Sequence, residues 1–297
     1  MKATLSMQGG HMIVKKSITG RRKKKLRIPK LMGGFMLIYT LSVMLYNTIS
    51  FFAHTPQKII TISHRGRVSG HGVENTISAL QYTVMNAHPD YAEIDIQETK
   101  DHEFIVAHDA NLIRLCGIDR NIYDMNLDEL VGLEVREGSF TAVLSDFDDY
   151  LSKADEYGQK LLIEVKTTPY SSPDMAERFL KRYGEDIKTH GHIVQSFDID
   201  VIKKIDESDP EISTGLLLKH TQGVRKGPSD FYSIEKTTLV YNFITSIRRS
   251  GKQIFTWTVN NPRDMKRLIF FKVDGIITDN IEKLNDILEH NDKAKKL

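Results

Sequence analysis

With one cysteine, Cys116, among 297 residues, the chain cannot be a disulfide-stapled scaffold. It has no acidic residue before His54 and no charged residue between Leu31 and Phe52. No glycine fingerprint of the G-x-G-x-x-G type follows the first strand-like run, which disfavours a doubly wound nucleotide-binding sheet. The acidic bulk of the chain has no basic stripe, which disfavours a nucleic-acid reader. A hydrophobic content of 40% excludes a disordered chain. Ten of the 41 basic residues and none of the 39 acids precede His54, so the net charge of +2 divides into +10 followed by −8. The remaining 244 residues match one large α/β barrel or a two-domain globule.

The uncharged run LMGGFMLIYTLSVMLYNTISFF begins at Leu31. As a helix it would be about 33 Å long at roughly 1.5 Å per residue, enough to cross a bilayer core. The expected organisation is therefore a basic tail over 1–30, a transmembrane helix over 31–53 and a folded domain over 54–297. Lys15, Lys16, Arg21 to Lys25, Arg27 and Lys30 precede the run, and nothing basic follows until Lys58. That asymmetry keeps the N-terminus cytoplasmic and sends the rest across. A cleaved signal peptide is the rival, but its basic region spans only a few residues, and no A-x-A site follows Phe52. A buried core helix is disfavoured because the run has no polar face. The Arg21 to Lys25 cluster is accounted for as a membrane flank rather than a nuclear signal.

Beyond Pro56, β-rich runs alternate with helical patterns. The runs are KIITIS from Lys58, YAEIDI from Tyr91, KLLIEVK from Lys160, HIVQSF from His192, STGLLL from Ser213, TLV from Thr238, KQIFTWTV from Lys252 and DGIITD from Asp274. Helical stretches cover 75–87, 145–157, 173–189, 198–207, 262–271 and 281–290. Strand alternating with helix implies parallel pairing, and eight strand candidates suit an α/β fold of the (β/α)8 TIM-barrel type. Ser145 and Asp198 each stand where they can cap a helix. The segment 219–236 shows little periodicity and reads as a long loop or a distorted helix. The stretch 109–145 is too short for a large inserted cap domain.

The chemistry follows from where the polar residues fall. Glu93 and Asp95 are two apart on one strand and share a face, as do Glu164 and Lys166 on another. The C-terminal end of a parallel barrel is where such pairs converge on a pocket. Three carboxylates gathered there repel one another unless a cation neutralises them, and all-oxygen ligation favours Mg²⁺ or Ca²⁺ over zinc. His64 and Arg65 end the first strand, and His108 with Asp109 follows EFIVA. Two histidines beside a metal and an arginine suit phosphoester chemistry, one taking a proton and the other giving one. Arg65 and Lys166 are suited to hold phosphate oxygens. The remaining histidines read as structural or surface residues.

These residues carry a resemblance. HRG at His64, ENT at Glu74, E-I-D at Glu93, HD at His108, E-V-K at Glu164, Q-S-F at Gln195, WTVN at Trp257 and D-G-I-I-T-D at Asp274 follow the order of the glycerophosphodiester phosphodiesterase family. The chain resembles that family from about Lys58 to Leu288. Two departures are Val73, where many relatives carry proline, and a longer loop over 67–72. The resemblance implies a TIM-type barrel that hydrolyses glycerophosphodiesters to sn-glycerol 3-phosphate and an alcohol. It implies His64 and His108 as the acid/base pair, and Glu93, Asp95 and Glu164 as ligands of one divalent cation, Mg²⁺ or Ca²⁺. Arg65 and Lys166 would bind the phosphate, and either water or a glycerol hydroxyl would attack. Glu74 is expected beside the metal or in a supporting shell, Gln195 in the pocket wall, and Trp257 either against the glycerol carbons or in the core. Thr278 with Asp279 is expected to cap the last helix. Lipid-derived diesters or an envelope polymer are the expected substrates, and the membrane the expected setting. Two alternatives stay open: a lysophospholipase D-type phosphodiesterase, and a non-catalytic module that binds glycerophosphate or a partner protein.

Overall fold

The computed structural model describes residues 7–8, 11–12, 30–53, 58–220 and 227–295. The basic tail before Lys30 lies largely outside these residues, as does the spacer around Pro56. The chain divides into two compact units, Met1–Ile49 and Ser50–Leu297. In the first, an N-terminal helix Lys30–Ala53 coincides with the apolar run and continues a few residues beyond the unit's end. Among the described residues no helix is long and apolar enough to cross a membrane. The described side chains of this helix run unbroken only over 33–46. Within that stretch Phe35, Met36, Leu37, Ile38 and Leu45 are all more than half exposed.

The second unit is an eight-stranded parallel barrel. Its strands are β1 (Ile60–Ser63), β2 (Tyr91–Glu98), β3 (Leu161–Val165), β4 (Ile193–Ser196), β5 (Thr214–Leu218), β6 (Phe231–Glu235), β7 (Gln253–Trp257) and β8 (Gly275–Thr278). Each pairs in parallel with its sequence neighbour, and β8 pairs with β1 to close the cylinder. The helices around it are α1 (Ile77–Asn86), α2 (Phe147–Glu156), α3 (Met175–His190), α4 (Ile199–Ser208), α5 (Tyr241–Arg249), α6 (Pro262–Phe270) and α7 (Ile281–Lys295).

Two expectations about elements are corrected. The sixth strand is not TLV but Phe231–Glu235, inside the stretch read as a long loop or a distorted helix. TLV instead leads into α5, with Leu239 buried in the outer core. Helix α2 is capped by Asp146, whose carboxylate accepts the Asp149 N–H, rather than by Ser145, whose hydroxyl has no partner among the described residues. Asp198 caps α4 as expected, accepting the Asp200 N–H. The segment 109–145 forms short helices and a β-hairpin, Glu134–Glu137 with Phe140–Val143, over a small core of its own.

The pleat decides which side chains reach the site. In β2, Ala92, Ile94 and Ile96 pack outward in the layer that also holds α2 and α3, which turns Glu93 and Asp95 into the barrel. The interior below them is filled by Ile62, Leu162, Ile193, Phe231, Phe255 and Ile277. Phe231 and Phe255 stack with centroids 4.6 Å apart. Room for these rings comes from Gly215 and Gly275, because a Cβ at either position would overlap the adjacent phenylalanine. Gly215→Ala is therefore expected to cost about 1–3 kcal/mol of stability by overpacking. Thermal denaturation checks this, and an unchanged midpoint would contradict it.

Candidate active site

The site lies where the C-terminal ends of the strands surround a cavity of about 430 Å³. His64, Arg65, Glu93, Asp95, His108, Glu164, Lys166, Gln195 and Trp257 all line it, so nine of the ten residues singled out in the sequence share one pocket. Glu74, the tenth, stands behind Arg65.

Glu93, Asp95 and Glu164 offer carboxylate oxygens that all lie within 4.8 Å of one another. They are 2%, 1% and 7% exposed, so water does little to screen their repulsion. The Asp95–Glu164 pairing between β2 and β3 sets two of them at one level. Lys166 Nζ donates to Glu164 Oε1 at 2.6 Å and lies 2.9 Å from Asp95 Oδ1. Burial disfavours charge on Asp95, but Lys166, His108, Arg65 and the Asn75 amide outweigh it and hold the carboxyl at about 2. Glu93 accepts the Arg65 backbone N–H at 2.8 Å and makes no ion pair among the described residues. Burial, followed by the Asp95 charge, pushes it up to about 8. Burial and Asp95 also raise Glu164, against the pull of Lys166. Three buried oxygen donors, one of which burial and the Asp95 charge bias toward the protonated form, fit a hard divalent cation.

Both histidines are oriented through Nδ1, and among the described residues no hydrogen bond engages Nε2 of either. His64 Nδ1 lies 2.8 Å from Asp279 Oδ1, and Asn260 Nδ2 donates to the other carboxylate oxygen. Burial disfavours the charged imidazole at His64, but the Asp279 hydrogen bond and Glu93 outweigh it, and the pKa is raised. Asp279 does not cap the last helix as expected. Thr278 Oγ1 accepts the Asn280 N–H, while Asp279 serves His64. His108 Nδ1 lies 2.6 Å from Asp109 Oδ1. Burial lowers its pKa, and Lys166 and Arg65 add to the effect against Asp95.

An ionic chain joins the two sides. Arg65 Nη1 donates to Glu74 Oε1 at 2.8 Å, Arg114 donates to both Glu74 oxygens, and Arg114 Nε donates to Asp109, which holds His108. Glu74 thus fixes two guanidinium groups rather than joining the carboxylate cluster. The backbone of Arg65 is left-handed at φ 54°, which presents its N–H to Glu93. Gly66 follows at φ +65°, and a side chain there would strike the Tyr150 hydroxyl. Gln195 Oε1 accepts from Ser233 Oγ at 2.7 Å, and Trp257 Nε1 donates to the Ser233 carbonyl at 3.0 Å. Sequence reasoning missed Arg114, Asn75 and Asn260, and misjudged Asp279. For Asp279 the signal was its place one residue past the last strand, the counterpart of His64 past the first.

A second group, Asp155, His190 and His192, also has close ligand atoms. His192 accepts the Leu161 N–H at Nδ1 and faces Asp155 at Nε2, so both ring nitrogens are already used.

A closed parallel barrel with carboxylates, paired imidazoles and cationic side chains at its C-terminal mouth is the arrangement of a barrel enzyme with an anionic substrate. Residues 64–283 match the Glycerophosphoryl diester phosphodiesterase family, and the chain belongs to that family of phosphoric diester hydrolases. The Bacillus subtilis (strain 168) protein YhdW, provisionally named a glycerophosphodiester phosphodiesterase, is 33% identical over 230 residues, 73% of this chain and 93% of its own. The glycerophosphodiester phosphodiesterase of Caldanaerobacter subterraneus subsp. tengcongensis is 27% identical over 246 residues, 78% of this chain and 98% of its own. Among solved structures, an Oleispira antarctica phosphodiesterase in complex with the product sn-glycerol-3-phosphate superposes with a TM-score of 0.67. It is 20% identical and covers 77% of this chain and 96% of its own.

If Glu93 keeps its proton until a cation displaces it, Mg²⁺ or Ca²⁺ binding releases a proton and tightens as pH rises toward about 8. Calorimetric titration of the full chain is expected to show affinity rising by up to about tenfold per pH unit from about pH 6. An affinity independent of pH would contradict this charge assignment.

Proposed function

We propose that the chain hydrolyses glycerophosphodiesters to sn-glycerol 3-phosphate and an alcohol, in a metal-dependent reaction at the outer membrane face. The observation that carries this reading is the convergence of His64 and His108 on the pocket that holds Glu93, Asp95 and Glu164. Those three carboxylates would hold one divalent cation, Mg²⁺ or Ca²⁺, which when bound supplies Lewis acidity to a phosphoryl oxygen. Arg65 and Lys166, which both line the cavity, supply positive charge to the phosphate. His108, whose neutral form is favoured by burial, takes the proton from the attacking hydroxyl of water or of the neighbouring glycerol carbon. His64, whose charged form is favoured by Asp279, gives a proton to the departing alcohol oxygen. Glu74 holds Arg65, and the Glu74–Arg114–Asp109 chain fixes the orientation of His108. The wall of Phe197, Leu217 and Trp257 packs on the carbon skeleton of the substrate.

The test is release of glycerol phosphate from glycerophosphocholine and related diesters by the full chain with Mg²⁺ or Ca²⁺ present. Turnover is expected, and His64→Ala or His108→Ala is expected to slow it about 10²- to 10⁴-fold. No release by the wild-type chain would reject the activity. Wild-type rates in both variants would reject the acid/base roles.

We further propose that 31–53 anchors the chain in a membrane, with the basic N-terminus cytoplasmic and the barrel outside. The uncharged run, its one-sided basic flank and the exposed apolar side chains of the N-terminal helix support this. Washing membranes with carbonate should leave the full-length chain in the pellet. Its release into the supernatant would reject the anchor.

A further inference from the structure

Among the described residues, three lysine or arginine side chains reach the cavity: Arg65, Lys166 and Lys219. Arg65 is paired with Glu74, and Lys166 with Glu164 and Asp95. Lys219 differs, since among the described residues no carboxylate lies within ion-pair distance of it. It extends the inward row of β5 after Gly215 and Leu217, one residue past the end of the strand. Its ammonium lies 5.3 Å from the centroid of the Phe197 ring. Phe197 in turn meets Trp257 edge to face, with centroids 5.7 Å apart. The rim of Phe197, Trp257 and Lys219 thus combines two aromatic rings with an ammonium that has no carboxylate partner among the described residues. The histidines and carboxylates of the same cavity come from β1, β2, β3 and the loop that follows Phe104–Val106.

A phosphodiester held between Arg65, Lys166 and the histidines has two arms. One belongs to the glycerol and the other to the alcohol. An aromatic wall alone would suit a quaternary ammonium head group, because ring faces attract cations. Here the Phe197 ring already lies against an ammonium of the protein itself, whose charge repels a second cation.

We propose that the Phe197–Trp257–Lys219 rim receives the alcohol arm, and that Lys219 selects alcohols bearing an anionic group, a phosphate or a carboxylate, over cationic head groups. This rests on the phosphodiesterase reading above and names the substrate class within it. The effect is modest, because Lys219 is exposed and solvent screens its charge.

The experiment measures kcat/KM of the full chain on matched diesters. Glycerophosphoglycerol is compared with its terminally phosphorylated form, and glycerophosphoethanolamine with glycerophosphoserine, which adds only a carboxylate. The anionic member of a pair is expected to be preferred by about three- to tenfold, the scale of one partly screened charge pair. Preference in the first pair identifies a phosphate ligand, preference in the second a carboxylate, and either supports the inference. In support, the ratio falls toward one in Lys219→Ala, holds in Lys219→Arg and inverts in Lys219→Glu. Equal kcat/KM within both pairs overturns the inference while leaving the phosphodiesterase reading intact, and so does a ratio that Lys219→Ala and Lys219→Glu leave unmoved. No turnover of any diester overturns that reading, and the inference with it.

Discussion

The mutual repulsion of Glu93, Asp95 and Glu164 is the constraint around which the mouth of the barrel is arranged. Three buried carboxylates within 4.8 Å of one another are tolerable only with positive charge at hand. Lys166 bridges Asp95 and Glu164, the Arg65 backbone donates to Glu93, and Asn75 exchanges hydrogen bonds with Asp95. Even so, burial and the Asp95 charge push Glu93 up to about 8. The cation we propose there would complete this balance.

The surrounding groups follow from that centre. Arg65 is drawn toward Asp95, at 3.9 Å, and is kept from collapsing onto it by Glu74, which Arg114 also holds. The same Arg114 grips Asp109 and so sets His108, while Asp279 and Asn260 set His64 across the seam between β8 and β1. The two imidazoles therefore share one form of support, a carboxylate at Nδ1, but sit in fields that shift them in opposite directions. In the reaction we propose, these opposite shifts are what distinguish the base from the acid.

Much of this was legible in the sequence. The period-two spacing of Glu93 with Asp95, and of Glu164 with Lys166, places them together wherever those runs are strands, and the alternation of runs with amphipathic stretches implied the parallel barrel. Strand β6 escaped notice because its inward row passes from Phe231 to Ser233, which serves Gln195 rather than a hydrophobic layer, and because polar, patternless sequence precedes it. TLV looked like a strand since Leu239 is indeed buried, but it packs in the outer layer as a lead-in to α5. The supporting ionic chain could not be read, because Glu74, Arg114 and Asp109 meet only after the hairpin segment folds back over its own small core. Asp279 was misassigned for a related reason. A helix cap is a local inference from sequence, whereas its partner His64 is 215 positions away.

The most direct test of the central claim is a crystal of the full chain grown with Mn²⁺ as a stand-in for the hard cation, examined by anomalous scattering. The account predicts one strong peak bounded by Glu93, Asp95 and Glu164, lost in Glu93→Gln crystals. A peak elsewhere, or none beside these carboxylates at saturating metal, would contradict it.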